Sequence, residues 1–248
     1  MSQRVSKQPV PATTTSATSA AASDGNDSVI RSLEGKYYTS PEIFAAEQTG
    51  LLTRTWQFAG HVSQVENTGD YFAFEMSGER LFCLRDRDGE VRTFYNVCQH
   101  RAHELVSGSG NSSLIVCPYH AWTYELTGKL RAGPNIRSVP NFPKSEICLT
   151  GVRTEVFHGF IFVNLDPDAR AMDEWFPGVR EQLGAFVPQI DALKPLEWVE
   201  IPEQCNWKVS IENYSECYHC SLNHRTFATG VVKPETYDIQ PQGYCLRH

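Results

Sequence analysis

The sequence predicts a β-rich α+β fold, with an antiparallel β domain followed by a region that mixes helices and strands. Two observations lead to this prediction. Between residues 69 and 165, short apolar or alternating segments are separated by turn signals, as in a compact antiparallel sheet. Helix signals lie on either side of this section, near residue 40 and again after residue 171.

Five segments of the middle section have the composition of β-strands. Asp88-Gly89 and His158-Gly159 each separate two of them, and a glycine at the second position of a short connection favours a tight hairpin. The segments are YFAFEM, RLFCLRD, VRTFYNV, GVRTEVF and FIFVNL. We therefore predict one antiparallel β domain over residues 56–170.

The flanking regions have different compositions. Residues 1–29 are rich in Ser, Thr and Ala and almost lack large apolar side chains, which predicts a disordered tail. Residues 1–28 also loosely match an organelle transit peptide. Ser40-Pro41-Glu42 is a helix-start signal, so we predict a helical segment over 30–55. Residues 171–248 read as loop and helix, then a strand from Leu196 that runs into a helix.

Charge and hydropathy exclude some partners. The chain has 22 basic and 29 acidic residues, a net charge of −7, which argues against nucleic acid and anionic membranes. No apolar run approaches the roughly 20 residues of a membrane span. We expect a soluble, cytoplasmic protein, or an organellar one if residues 1–28 are a targeting segment. The eight cysteines show no disulfide framework and are read as thiols or metal ligands.

The first constellation has the spacing of a metal site. Cys98 and His100 form C-x-H, and after sixteen residues Cys117 and His120 form C-x-x-H. Each pair follows a predicted strand, so two loop tips can meet. Two thiolates and two imidazoles suit tetrahedral zinc. They also suit a two-iron cluster of the Rieske type, with cysteines on one iron and histidines on the other.

The surrounding residues favour iron. The pattern C-x-H-R…C-P-Y-H-A-W-x-Y resembles the Rieske domain of ring-hydroxylating and related non-haem iron oxygenases, and the match extends through Gly69-Asp70-Tyr71 and FIFVNLDPDA. This resemblance implies a [2Fe-2S] cluster on the four ligands. We expect His103 to be a surface residue or a neighbour of the ligands. We interpret Tyr119, Trp122 and Tyr124 as packing that excludes water.

A second constellation lies in NWKVSIENYSECYHCSLNH. Residues i and i+5 of an ideal helix point about 140° apart, so His219 and His224 can share an ion only if the helix is distorted, for instance by a π-bulge. The stretch resembles the opening of the oxygenase catalytic domain, which implies a helix-grip fold. The resemblance makes His219 and His224 ligands of mononuclear iron, Glu216 the acid that connects the two metal centres, and Asn213 a residue near the iron.

Three departures from the family pattern carry further expectations. Many members have Asp at the position of Glu216, and the E-C-Y-H-C stretch resembles the branch acting on carnitine, choline or betaine. Asn213 lies one residue closer to the histidines than in naphthalene-type dioxygenases. The family's third iron ligand is a later acid that neither Glu235 nor Asp238 matches. We therefore expect an N-terminal part of a longer α subunit.

The resemblance implies an oxidoreductase that uses O₂ and NAD(P)H-derived electrons to hydroxylate a small organic substrate. A flavin and iron–sulfur reductase, or a ferredoxin, would supply the electrons, and a homotrimer is expected. A quaternary ammonium substrate would undergo N-demethylation or C–N cleavage. The alternatives are an aromatic-ring dioxygenase, an electron-transfer module without oxygenase activity, and a zinc-stabilised binding module. Arg101, Lys129 and Arg131 are either a docking patch for an acidic redox partner or solvated charges.

Overall fold

The computed structural model describes residues 32–216, 219–230, 240–242 and 245–247. The chain divides into two units, Met1–Glu34 and Gly35–His248, and every element below belongs to the second. The predicted tail and transit segment, and the acids Glu235 and Asp238, lie outside the described residues. Among the described helices, none has the length and apolar character needed to cross a membrane.

Twelve strands are described. They are β1 (Gln57–His61), β2 (Asp70–Met76), β3 (Glu79–Arg85), β4 (Val91–Tyr95), β5 (Ser109–Asn111), β6 (Ile115–Val116), β7 (Thr123–Tyr124), β8 (Leu130–Ala132), β9 (Gly151–Phe157), β10 (Phe160–Asn164), β11 (Gln240–Gln242) and β12 (Cys245–Arg247). The described α-helices are α1 (Lys36–Thr39), α2 (Pro41–Glu47), α3 (Met172–Trp175), α4 (Val179–Phe186), α5 (Trp207–Tyr214), α6 (Cys220–Asn223) and α7 (Arg225–Gly230). The β-rich α+β prediction is confirmed.

The described strands form three antiparallel sheets. The large sheet has seven strands in the order β1-β10-β9-β4-β3-β2-β5, the small one has the order β6-β7-β8, and β11 pairs with β12. The five predicted strand segments correspond to β2, β3, β4, β9 and β10, so these predictions are confirmed. The β9–β10 turn has φ of 50° at His158 and 80° at Gly159, which is the double left-handed conformation of a type I′ hairpin.

One buried cluster joins the large and the small sheet. Phe82 and Leu84 come from β3, and Ile115 and Tyr124 come from the small sheet. Cys98 and Cys117 belong to the same cluster, and both are about 2% exposed. Packing between the two sheets therefore sets the relative position of the loops that follow β4 and β6.

The N-terminal helices begin as predicted. The side chain of Ser40 accepts a hydrogen bond from the Ile43 backbone amide, and Pro41 occupies the first helical position. Helix α2 then continues into a π-helical turn, Gln48–Leu52, so Gly50 widens the helix without ending it. This segment contacts α5, because the Glu47 carboxylate accepts hydrogen bonds from Trp207 and Lys208.

The strand predicted from Leu196 is wrong. Residues 196–204 have no regular secondary structure, and Leu196, Val199 and Ile201 are exposed. A strand is stabilised by a neighbouring edge, and Pro195 and Pro202 at either end of the segment have no backbone N–H to donate. Trp198 instead stacks on Phe58 of β1, with ring centroids 6.0 Å apart. The helix predicted after it is α5, which is confirmed.

Candidate metal centre

The two loops that carry the predicted ligands have the same backbone design. In the first ligand loop, residues 98–103, the Cys98 amide donates to the His103 carbonyl and the Ala102 amide donates to the Cys98 carbonyl. In the second ligand loop, residues 117–122, Cys117 bonds in the same way with Trp122 and Ala121. Ala102 and Ala121 both have left-handed backbones, with φ of 57° and 53°. Each loop therefore presents its cysteine and histidine from an equivalent tight turn.

The structure brings the two cysteines together in a dry interior. Cys117 lies within hydrogen-bonding reach of the Cys98 thiol, and burial, followed by this neighbour, raises the pKa of Cys98. The Tyr124 hydroxyl lies 3.2 Å from Cys98 Sγ. The Gln99 amide donates to the same hydroxyl oxygen at 3.0 Å, which leaves the hydroxyl hydrogen free to point at the sulfur. If a metal displaced the thiol protons, the Cys98 sulfur would accept a hydrogen bond from the Tyr124 hydroxyl.

The structure also brings the two histidines together, nearer to solvent than the thiols. The rings of His100 and His120 have centroids 4.8 Å apart at an interplanar angle of 71°. His100 stacks on Trp122, with centroids 4.8 Å apart and an angle of 10°. Burial and then the neighbouring His100 and Arg101 lower the pKa of His120, which favours the neutral imidazole that binds metals.

This arrangement fits a cluster with two protein ligands on each of two irons. Buried thiols form one pair and outer imidazoles form the other. Within the part of the chain that the structure describes, no three His, Cys, Asp or Glu side chains are grouped as around a single ion. Two protein ligands for each of two irons is the ligand pattern of a Rieske cluster.

The second constellation is built around one short helical turn. His219 is the N-cap of α6 and His224 is its C-cap, with a non-helical φ of −117° and ψ of 53°. Their ring centroids are 5.2 Å apart. The predicted distortion is present, but it consists of a helix ending at both histidines and not of a π-bulge.

Glu216 and Asn213 have different relations to this pair. Glu216 Oε1 lies 2.6 Å from His219 Nδ1, so the carboxylate fixes the ring and leaves Nε2 for a metal. Asn213 is exposed on α5, before the helix ends at Tyr214. The structure therefore brings His219, His224 and Glu216 together.

Some features were not found from the sequence. Tyr124 was interpreted only as packing, yet its hydroxyl bonds to Cys98. Asn96, which is buried just before the first ligand loop, accepts from the Leu105 and Val106 amides and donates to the Val106 carbonyl, closing the loop's base. The sequence signal that could have identified Asn96 was its position between the end of a strand and the C-x-H motif. Tyr119 is 56% exposed, and its ring packs against His120 and His103, with centroids 3.7 and 5.4 Å apart.

Comparison with known proteins agrees with this geometry. A family model for the Rieske [2Fe-2S] domain matches residues 55–143, and one for the ring hydroxylating alpha subunit (catalytic domain) matches residues 190–244. The chain therefore contains a Rieske [2Fe-2S] domain and a segment of the catalytic domain of a ring-hydroxylating α subunit. The resemblance stated from the sequence is thereby confirmed, together with the [2Fe-2S] and mononuclear iron cofactors that these two domains imply.

The relatives of this chain include oxygenase subunits of carnitine monooxygenase and choline monooxygenases. It is 35% identical over 213 residues to the carnitine monooxygenase oxygenase subunit of Acinetobacter baumannii, covering 86% of this chain and 57% of the relative. It is 31% identical over 211 residues to the chloroplastic choline monooxygenase of Spinacia oleracea, covering 82% of this chain and 47% of the relative. The chain spans about half the length of the curated relatives it matches.

Solved structures show the same likeness. The quaternary ammonium Rieske monooxygenase CntA in complex with L-carnitine superposes with a TM-score of 0.77 at 35% identity, covering 84% of this chain and 59% of that one. Naphthalene 1,2-dioxygenase with indole bound gives a TM-score of 0.64 at 31% identity, covering 76% and 44%.

Proposed function

We propose that this chain carries the electron-relay and iron sites of a Rieske oxygenase that hydroxylates a quaternary ammonium compound. One observation carries the proposal. A buried thiol pair with an outer imidazole pair occurs in the same chain as Glu216, which holds the first of two neighbouring histidines.

In the first site, Cys98 and Cys117 would hold the inner iron and His100 and His120 the outer one. The bound cluster would relay single electrons. The protein's part is to keep the thiolates dry, to donate one hydrogen bond to Cys98 from Tyr124, and to fix the plane of His100 against Trp122. Replacing two thiolates by neutral imidazoles removes negative charge, which makes reduction of the cluster more favourable.

In the second site, His219 and His224 would hold ferrous iron, and Glu216 would orient His219 through its Nδ1–H. Bound there, the metal would supply open positions for O₂. The overall reaction consumes one O₂, two electrons and two protons for each C–H bond hydroxylated, and releases water. Hydroxylation of a carbon next to nitrogen gives a product that breaks at the C–N bond, which accounts for N-demethylation or C–N cleavage.

The substrate class rests on the relatives and on the sequence around the second site. The relatives carry the names carnitine, glycine betaine and choline monooxygenase. Glu216 stands within E-C-Y-H-C, the stretch that favours the same branch. Aromatic-ring dihydroxylation is the second candidate, and its support is the weaker superposition on naphthalene 1,2-dioxygenase.

The proposal extends to partners and assembly. A flavin and iron–sulfur reductase, or a ferredoxin, would deliver the electrons. A homotrimer would let the cluster of one subunit serve the iron of the next, with Glu216 contacting His120 of a neighbouring copy. Inter-subunit electron transfer is described for a quaternary ammonium Rieske monooxygenase of similar structure, which supports this assembly. A cytoplasmic location stays a prediction, and chloroplastic relatives keep the organellar alternative open.

The test combines metal analysis with oxygen uptake. We expect three irons and two acid-labile sulfides per chain, and NADH-dependent O₂ uptake with a reductase and carnitine, betaine or choline. His219→Ala should reduce the iron content to two without changing the cluster's visible spectrum. Two irons in the unmodified protein and no product would favour the electron-transfer module. Zinc without sulfide would contradict the proposal altogether.

A further inference from the structure

A cavity with three basic side chains lies beside the second ligand loop. It has a volume of about 360 Å³ and is formed by β8 and the loop that follows it. Arg131, Arg137 and Lys144 line it, and all three are exposed. The lining contains no acidic residue, and the exposed Val139 and the half-buried Phe142 add an apolar surface. The cavity therefore concentrates positive charge around a small apolar patch.

These three bases lack the ion pairs that several other bases of the described residues form. Arg80, Arg153 and Lys194 each form an ion pair with a glutamate. Within the described residues, no ion pair joins Arg131, Arg137 or Lys144 to an acidic side chain. On a chain of net charge −7, these three cations without an ion pair concentrate positive charge in one cavity.

The wall of this cavity packs against the side chain that supports a ligand histidine. A Cβ atom on Gly133 would lie 2.8 Å from the Trp122 ring, so the cavity wall lies directly on the indole. The Phe142 ring meets Trp122 edge to face, with centroids 5.9 Å apart. Trp122 in turn stacks on His100. A molecule seated in the cavity is therefore separated from His100 by the cavity wall at Gly133 and Phe142 and by the Trp122 ring behind it.

We propose that this cavity docks the acidic face of the electron-donor protein, so that electrons enter the Rieske unit on the side of Trp122 and His100. The inference rests on the proposed electron-relay function. Charge complementarity identifies the occupant as an acidic iron–sulfur domain, since opposite charges raise the encounter rate and orient the partners. One electron passes from the donor's reduced cluster to the oxidised Rieske cluster, and Trp122 is the packed medium between them and is not itself oxidised.

The site differs from the patch predicted from sequence. Arg131 is common to both, whereas Arg101 and Lys129 do not line this cavity. Arg137 and Lys144 line the cavity instead, because the loop after β8 folds back toward Trp122. The spacing of residues along the chain does not reveal this fold of the loop. Arg131 also borders a neighbouring cavity of about 110 Å³ that contains Glu125, so Arg137 and Lys144 are the more specific probes.

The experiment measures cluster reduction by anaerobic stopped-flow absorbance, with an acidic plant-type [2Fe-2S] ferredoxin, whose potential lies below that of a Rieske centre, as the donor. The variant is R131Q/R137Q/K144Q in the cluster-loaded protein. We expect its bimolecular reduction rate at low ionic strength to fall about tenfold or more. The salt dependence should flatten. Reduction by dithionite and the cluster's spectrum should stay unchanged.

The matched control is R54Q/R153Q/K194Q, which removes three positive charges outside the cavity. We expect the bimolecular reduction rate of this control to fall less than threefold at low ionic strength. An equal loss in both variants would show that net charge alone matters and would overturn the docking site. A wild-type rate in the cavity variant would overturn it as well. If dithionite reduces no cluster in the unmodified protein, the electron-relay function itself fails, and the inference fails with it.

Discussion

Tyr124 shows how one buried side chain can act on the cluster without binding it. The ring fills the core between the two sheets, and the hydroxyl accepts from Gln99 while facing Cys98. Burial, and then the contact with Cys98, raises the pKa of Tyr124 well above its usual range. The phenol therefore stays protonated and serves as a donor to sulfur.

Removing this donor should lower the cluster's reduction potential. A hydrogen bond to sulfur stabilises the reduced, more negative cluster, and Tyr124→Phe deletes it while keeping the ring. A bond of about 1 kcal/mol corresponds to about 40 mV for a one-electron couple. Protein-film voltammetry measures the potential. An unchanged potential, in a variant with an unchanged melting temperature, would show that the hydroxyl does not donate to the cluster.

Glu216 contacts His219 as Tyr124 contacts Cys98, by a hydrogen bond to a residue that is proposed to bind metal. Glu216→Gln keeps the size of the side chain but loses the charge that holds the imidazole, so Fe²⁺ affinity at the second site should fall by about 10–100-fold. Equilibrium dialysis of ferrous iron measures the affinity. Glu212→Gln is the matched control, because Glu212 lies on α5 and bonds to Tyr38. Equal affinities in the two variants would contradict the orienting role.

At the scale of elements, His158 in the turn of the β9–β10 hairpin contacts two hydrogen-bond acceptors. His158 Nδ1 lies 2.9 Å from Asp191 Oδ1, and Nε2 lies 2.9 Å from the Arg180 carbonyl. Because both partners accept hydrogen bonds, both ring nitrogens carry hydrogens only in the imidazolium form. The Arg180 carbonyl and then Asp191 raise the pKa of His158.

This contact should make stability depend on pH. The folded-state pKa lies above the ordinary value of about 6.5. The stabilisation is therefore fully present below that value and is lost as the pH rises through the raised pKa. His158→Asn tolerates the left-handed backbone. Urea unfolding should show the largest difference from wild type near pH 6 and a smaller one near pH 9. A difference that is independent of pH would contradict the imidazolium assignment.

The contact between α2 and α5 is a second prediction at this scale. Lys208 is buried, and its ammonium group lies 2.7 Å from Glu47, which also accepts from Trp207 at 3.0 Å. Glu47→Gln leaves a buried ammonium without a counter-charge, so the melting temperature should fall. Glu66→Gln, which removes one half of the exposed pair with Lys194, should change it little. Calorimetry measures the melting temperatures of both variants, and equal decreases would contradict a stabilising role for the contact between α2 and α5.

Elements were predictable where the signal is local. The strands β2, β3, β4, β9 and β10 follow from alternation and turn residues within a few positions of each other. The segment after Pro195 has similar apolar alternation but no neighbouring edge, and an edge is a tertiary property. The bond from Tyr124 to Cys98 spans 26 residues and depends on how β7 packs against the first ligand loop, so spacing could not predict it.

For the whole molecule, the four residues proposed as cluster ligands could be proposed from the sequence because their types and spacing restrict the chemistry. What holds them was not predictable. The large and small sheets each present one ligand loop, and a shared core that includes both cysteines fixes the distance between the loops. The proposed entry route through Trp122 to His100 leaves His120 available for the proposed contact with Glu216 of a neighbouring subunit.

The most direct test of this account is Mössbauer spectroscopy of ⁵⁷Fe-labelled protein, purified anaerobically and reduced with dithionite. We predict two different iron sites in equal amounts, besides any mononuclear ferrous iron. One would be ferric with sulfur ligands, and the other ferrous with nitrogen ligands from His100 and His120. Two equivalent all-sulfur sites, or a protein that contains zinc and no iron, would contradict the account.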